Sequence, residues 1–169
     1  MDNRLAIGPG EARGMDTEAL RKAFLIEKVF GEDEVLLTLS HYDRYIAGGA
    51  MPVNKKILLP NPEKLKANFF LERREMGIIN VGGKGTVVAD GQPYELDFKE
   101  ALYIGKGTKE VSFSSADKNN PAKFYINSAP AHHTYPTKKI SRAQAEVVEL
   151  GSAATANHRV INKMIVASV

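Results

Sequence analysis

Two carboxylates, a pair of arginines and four histidines carry most of the chemistry this sequence could do. The histidines are His41, His132, His133 and His158. His41 and Asp43 lie two apart, so on a strand they share a face, which reads as a polar strand-end pair. His132 and His133 are adjacent and point to opposite sides of an extended chain, so one strand cannot offer both to one ion. No His-x-His or His-Glu-x-x-His occurs, and cysteine is absent, so neither imidazole nor thiolate clusters at metal-ligand spacing. The expectation is that this chain holds no metal. Arg73 and Arg74 are followed by Lys84, Lys106 and Lys109. A guanidinium fork suits a carboxylate substrate and a lysine supplies a point charge. The plainer reading pairs these cations with Glu72, Glu75 and Glu110 at the surface. The stretch GGKGT (82–86) has the glycines of a phosphate loop. However, Lys84 is followed by Gly85 and then by a strand pattern, which predicts a hairpin turn instead. The segment SAPAHHTYPTKKI (128–140) mixes prolines, histidines, a tyrosine and lysines without periodicity, as binding segments often do.

The elements that must position these residues are mostly strands. Eight short stretches rich in β-branched and aromatic residues fall at 34–41, 45–53, 76–82, 85–90, 92–98, 101–105, 109–115 and 122–130. Turn residues separate them, notably Asp90-Gly91, Gly82-Gly83 and Asn119-Asn120-Pro121, so an antiparallel sandwich or barrel is predicted. Residues 1–15 read as an arm. Asp16 or Thr17 caps a short N-terminal helix with Leu20, Phe24 and Leu25 on one face. Ser141 and Gln144 stand at capping-box spacing, which predicts a short C-terminal helix over 141–150. The apolar RVINKMIVASV reads as a strand leading onward, as if the natural chain continues. The chain's 169 residues suit one full core, divided as an arm and helix (1–30), a barrel (31–140) and a linker helix and strand (141–169). A net charge of +3 with dispersed cations argues against nucleic acid. With neither a signal-like nor a membrane-spanning apolar run, the expected location is the cytoplasm.

Residues 69–113 resemble the double block of the cupin superfamily, through Glu75, the glycines at 82, 83 and 85, the Asp90-Gly91 turn and YIGKGT. The resemblance implies an all-β, cupin-type antiparallel barrel or jelly roll. Metal-binding cupins place His-x-His and a Glu in the first block and a His in the second, converging on one divalent ion. Here the first position reads FFLER, only Glu75 remains in that block, and Glu110 replaces the last histidine. That predicts a barrel without metal.

FLERREMGIINVGGKGTV (70–87), ALYIGKGTKEV (101–111), PAKFYINSAPAHHTYPTKK (121–139) and RVINKMIV (159–166), with LIEKVF and MPVNK before them, are similar to the 5-keto-4-deoxyuronate isomerase family. This resemblance implies ketol isomerisation in uronate breakdown, turning 5-dehydro-4-deoxy-D-glucuronate into 3-deoxy-D-glycero-2,5-hexodiulosonate. It implies a zinc whose ligands lie in a second barrel, none of which maps onto this chain. It implies a keto-uronate partner bound with the help of Arg73, Arg74, His132, Tyr135 or Lys138. It also implies a homo-oligomer, a hexamer being one option, with no nucleic-acid or membrane partner. The general base is unknown at this stage. The alternative is a free-standing, non-catalytic cupin that binds a sugar acid or serves oligomerisation.

Overall fold

A computed structural model describes residues 1–166. Thirteen strands form among them: β1 Asp2–Arg4, β2 Glu34–Ser40, β3 Ile46–Met51, β4 Ile57–Leu58, β5 Arg74–Asn80, β6 Gly85–Ala89 and β7 Gln92–Leu96 come first. They are followed by β8 Ala101–Ile104, β9 Val111–Ser115, β10 Phe124–Pro130, β11 Lys138–Ile140, β12 Glu146–Leu150 and β13 Arg159–Lys163. Two helices, α1 Pro9–Ala12 and α2 Thr17–Phe24, precede β2. A seven-stranded sheet runs β1-β2-β3-β10-β5-β8-β11 and a four-stranded sheet runs β4-β9-β6-β7. The two close on each other as the expected all-β, cupin-type barrel. β12 and β13 pair as a separate hairpin. No helix among the described residues is long and apolar enough to cross a membrane.

Period-two burial explains the large sheet. Along β5, Arg74, Met76, Ile78 and Asn80 are buried, alternating with half-buried Glu75, Gly77 and Ile79. Across β10, Phe124, Ile126 and Ser128 are buried, while Tyr125, Asn127 and Ala129 alternate with them. One set fills the barrel and the other forms an outer face. The interior is packed with Leu37, Ile46, Met76, Ile78, Val87, Leu96, Leu102, Ile104, Phe113, Phe124 and Ile126, all 5% exposed or less, which leaves the barrel closed. Phe113 and Phe124 pack across the two sheets with ring centroids 5.6 Å apart.

Turn chemistry sets the register. Asp90 and Gly91 both take positive φ, 45° and 84°, as a two-residue hairpin turn between β6 and β7 requires. The Asp90 carboxylate also accepts from the backbone N–H of Lys109 and of Glu110, at 2.9 and 2.8 Å. GGKGT is a turn but not the predicted hairpin, since it carries the chain from β5 in the large sheet to β6 in the small one. A Cβ on Gly83 would stand 1.9 Å from the Asn120 carbonyl oxygen, so only glycine lets this turn approach the 119–122 loop.

Three elements differ from the sequence-based expectation. The arm contains β1, which pairs in parallel with β2, Asp2 to Arg4 opposite Thr38 to Ser40. In α2, capped by Asp16 through the Ala19 N–H at 2.8 Å as predicted, Leu20 and Phe24 stay largely exposed. The predicted C-terminal helix is one 3₁₀ turn, Arg142–Gln144, followed by β12. Its capping contact exists, with the Ser141 N–H donating to the Gln144 side chain at 2.9 Å. The paired β-branched Val147 and Val148 then favour a strand, for which β13 supplies the partner.

Asp33 sits at positive φ before β2 and accepts from the N–H groups of Val53 and Asn54, at 2.7 and 2.9 Å, and of Lys55. The bond from the Val53 N–H is the main reason its carboxyl is lowered from 3.8 to about 2. A depressed carboxyl favours the fold above its unfolded value, and that support is lost as pH falls from 3.8 through about 2. Asp33→Asn should therefore flatten the acid limb of a stability-against-pH curve in that window. An unchanged limb would contradict this reading of Asp33.

Candidate functional site

The middle of the barrel is filled by apolar side chains, so the chemistry-bearing groups lie at its end and on its outer face. Glu110 is exposed beside the Asp90 turn, and Glu75 is on the outer face of the large sheet. The two carboxylates at the barrel's ligand positions therefore do not converge. The histidines are also separate. His41 bonds to the Asn3 side chain at 2.9 Å, His158 lies 3.7 Å from Glu149, and His132 and His133 are exposed in the 131–137 loop. No group of three or more His, Cys, Asp or Glu among the described residues could hold a metal ion. The zinc that the resemblance implies does not fit the residues of this barrel.

The outer face does assemble a site. Tyr103 pairs in register with Gly77 on β5 and with Lys138 on β11, which places Glu75 diagonally across from it. The Tyr103 hydroxyl donates to Glu75 Oε2 at 2.7 Å. Burial first, and then this bond to a carboxylate, push the phenol well above its ordinary range, so it remains a proton-bearing donor. Around the pair lies a cleft of about 480 Å³ lined by Tyr135, Pro136, Lys138 and Ile140, with Met164, Ile165 and Val166 along one side. A second hollow of about 220 Å³ continues along the sheet past Tyr45, Asn127 and Ile165, and shares Glu75 and Tyr103. Asn127 Oδ1 is shut from solvent and accepts no hydrogen bond among the described residues, so an unmet acceptor lies within the wall of this hollow, reachable by a ligand once the amide turns. Burial, and then Tyr125, raise the Tyr45 phenol. The combination of phenols, a carboxylate, an amide and one cation suits a small polyhydroxylated acid.

Glycines make the cleft. A Cβ on Gly105 would stand 2.0 Å from the Tyr135 carbonyl oxygen, so YIGKGT brings the 131–137 loop against β8 only because this residue has no side chain. A Cβ on Gly77 would meet Ile165 Cδ1 at 3.0 Å, so the C-terminal segment crosses the sheet in that notch. Gly105→Ala should push the loop off β8 and open the cleft. The check is faster amide exchange over 131–137 with the β5–β10 ladder still protected. Unaltered exchange in the loop would contradict it.

The five residues singled out from sequence fall in three places. Tyr135 and Lys138 line the cleft. His132 is exposed, and its carbonyl accepts from Lys106 at 3.4 Å. Arg73 and Arg74 lie at the end of the barrel where β5 begins. Arg73 caps the carbonyls of Leu65 and Lys66, while Arg74 is buried against Ser128 and the Arg44 carbonyl. The sequence reading missed Tyr103, Asn127 and Tyr45. Strand alternation was the available signal, because Tyr103 and Asn127 are out of phase with the apolar residues beside them.

Comparison with known proteins places this geometry in context. The KduI/IolB family model matches residues 25–169. The 4-deoxy-L-threo-5-hexosulose-uronate ketol-isomerase of Formosa agariphila is 52% identical over 168 residues, covering 99% of this chain and 60% of that protein. The protein of the same name from Yersinia pseudotuberculosis is 54% identical over 171 residues, covering 100% of this chain and 62% of its own length. The chain thus spans about three-fifths of the length of the curated relatives it matches. Among solved structures, an IolB-like protein from Salmonella typhimurium superposes with a TM-score of 0.53 over 69% of this chain and 42% of that one. At 17% identity this is a likeness of fold.

Proposed function

Because the chain belongs to the KduI/IolB family, we propose that it serves a ketol-isomerase acting on 4-deoxy-L-threo-5-hexosulose-uronate, as a metal-free barrel whose outer sheet face helps hold the substrate. The observation that carries this reading is identity above 50% across essentially the whole chain to proteins of that name. In the proposed pose, Lys138 faces the substrate carboxylate. Tyr135 donates to a substrate carbonyl oxygen, while Tyr103, whose one proton goes to Glu75, and the Asn127 side-chain oxygen accept from the substrate's hydroxyls. Isomerisation moves a proton between adjacent carbons through an enediol, and donors aimed at the developing oxyanion would favour it. No step is assigned to a zinc ion, for which this barrel offers no ligand set.

The β12–β13 hairpin supports a working arrangement with a further body. A two-stranded hairpin is marginal alone in water, yet Val147, Leu150, Val160 and Ile161 are each more than 40% exposed on it. In this proposal the hairpin seats against the part of the isomerase that extends past the matched three-fifths, or against another copy in a homo-oligomer. The alternative of a free-standing binder gives this exposed hairpin no partner.

The test is calorimetric binding of the keto-uronate. Lys138→Met should weaken binding about tenfold, and Tyr103→Phe should weaken it by a smaller factor. Keto-uronate binding that is indifferent to both substitutions would remove the cleft from the account.

A further inference from the structure

A third cavity, of about 270 Å³, opens at the end of the barrel where β5 starts and β10 finishes. Arg44, Lys64, Arg73 and Arg74 line it, with Leu39, Leu65, Ala67, Phe70 and Pro130 as apolar wall, and no acidic residue lines it. Of the four cations Arg74 lies deepest, only 8% exposed. Its guanidinium donates from Nε to Ser128 Oγ at 3.1 Å, and from Nη2 to the Ser128 and Arg44 carbonyls at 2.8 and 2.6 Å. All three acceptors are neutral. Burial, and then the Arg44 charge, lower it to about 10, so it stays charged at neutral pH. A buried cation is ordinarily matched by an anion, because desolvation otherwise opposes it.

The nearby acids do not supply that anion. Glu72, which feels the Arg73 charge, has its carboxylate taken by the backbone N–H and side-chain amide of Asn68, at 2.9 and 2.6 Å. Glu63 pairs with Lys66 at 3.0 Å. Arg44 and Lys66, at φ 54° and 48°, hold backbone in the left-handed region, and their carbonyls serve Arg74 and Arg73 respectively. Arg73 and Arg74 are thus fixed in place by neutral backbone around an apolar-walled hollow, with the exposed Arg44 and Lys64 side chains at its rim.

We infer that this cavity binds the carboxylate of a small organic acid, with Arg74 at its floor, Arg44 and Lys64 at its rim, and the hydrocarbon part of the ligand against Phe70 and Pro130. Phe70, Leu39, Leu65 and Pro130 favour an organic acid over inorganic phosphate, which would leave that wall dry and unmatched. The cavity is separate from the outer-face cleft: Arg74 and Glu75 are consecutive on β5 and point to opposite sides. The inference therefore does not rest on the isomerase reading.

The experiment is calorimetry at low salt with succinate, glucuronate, glucose and inorganic phosphate as probes. Arg44→Gln and Lys64→Ala change exposed side chains and keep the fold, which melting curves verify. The structure predicts saturable binding of succinate or glucuronate and none of glucose. Each substitution should weaken that binding about five- to tenfold, while Lys109→Ala, a cation beside the Asp90 turn, leaves it intact. No saturable binding of either acid, binding of phosphate alone, or affinity indifferent to both rim substitutions would overturn the inference.

Discussion

Asn80→Asp should remove a large part of the stability of the fold, a loss of about 4 kcal/mol against a usual total of about 5–15 kcal/mol. Asn80 is fully buried and uses its whole amide. Nδ2 donates to the Gly83 and Leu96 carbonyls at 2.7 and 2.9 Å, and Oδ1 accepts from the Gly82 and Lys123 N–H groups at 3.1 and 3.2 Å. One side chain thereby ties the end of β5 to the GGKGT turn, to the end of β7 and to the start of β10. Aspartate would face two carbonyl oxygens with an oxygen of its own, so the carboxyl must either stay protonated or bury an unmatched charge. Asn80→Ala should cost less, about 3 kcal/mol, because it orphans the same backbone groups without adding repulsion. Chemical denaturation reads both losses. If Asp were tolerated as well as Ala, the amide would not be the link described.

Arg74→Ala should cost about 3 kcal/mol and lower the melting temperature by roughly 10 °C, although it removes a buried charge. The guanidinium is the link between β5, the end of β10 and the β2–β3 turn, and its loss leaves the Ser128 and Arg44 carbonyls without their donor inside the protein. Ser128 Oγ also donates to the Glu75 carbonyl at 2.7 Å, so the damage should reach the strand that carries the outer-face site. Arg74→Lys should recover little, since one ammonium cannot reproduce the fork that meets Ser128 and Arg44 together. Full recovery by lysine would mean that charge, rather than bonding geometry, is what the position requires.

The barrel was legible because its strands obey two simple rules. Side chains alternate with period two, and residues able to take positive φ or to break a ladder stand between the runs, as Asp90-Gly91 does. β1 was not legible, since Asp2-Asn3-Arg4 has no alternation and owes its strand conformation to the free edge of β2. The C-terminal helix was misread because a capping contact is local, while the choice between helix and strand over 146–150 is made by β13, ten or so residues further on. Arg73 and Arg74 illustrate a similar limit for the site. Sequence placed them together and both reach the barrel-end cavity, but their environments differ: Arg74 opens β5 and is buried against Ser128, while the exposed Arg73, just before the strand, reaches back to the Leu65 and Lys66 carbonyls. Tyr135 and Lys138 were visible in a segment of mixed composition. Tyr103 and Asn127 were hidden inside runs that read as ordinary apolar strand, and only sheet register shows which of their neighbours share their face.

The central claim is that the outer face of the large sheet, rather than the barrel interior, is where this protein meets a keto-uronate. Amide chemical-shift mapping of the isotope-labelled chain during titration with 4-deoxy-L-threo-5-hexosulose-uronate tests it most directly. The account predicts saturable shifts centred on Glu75, Tyr103, Asn127, Tyr135 and Lys138, with β6 and β9 unmoved. Shifts centred on the barrel-lining residues of β6 and β9, or no saturable shifts at all, would contradict it.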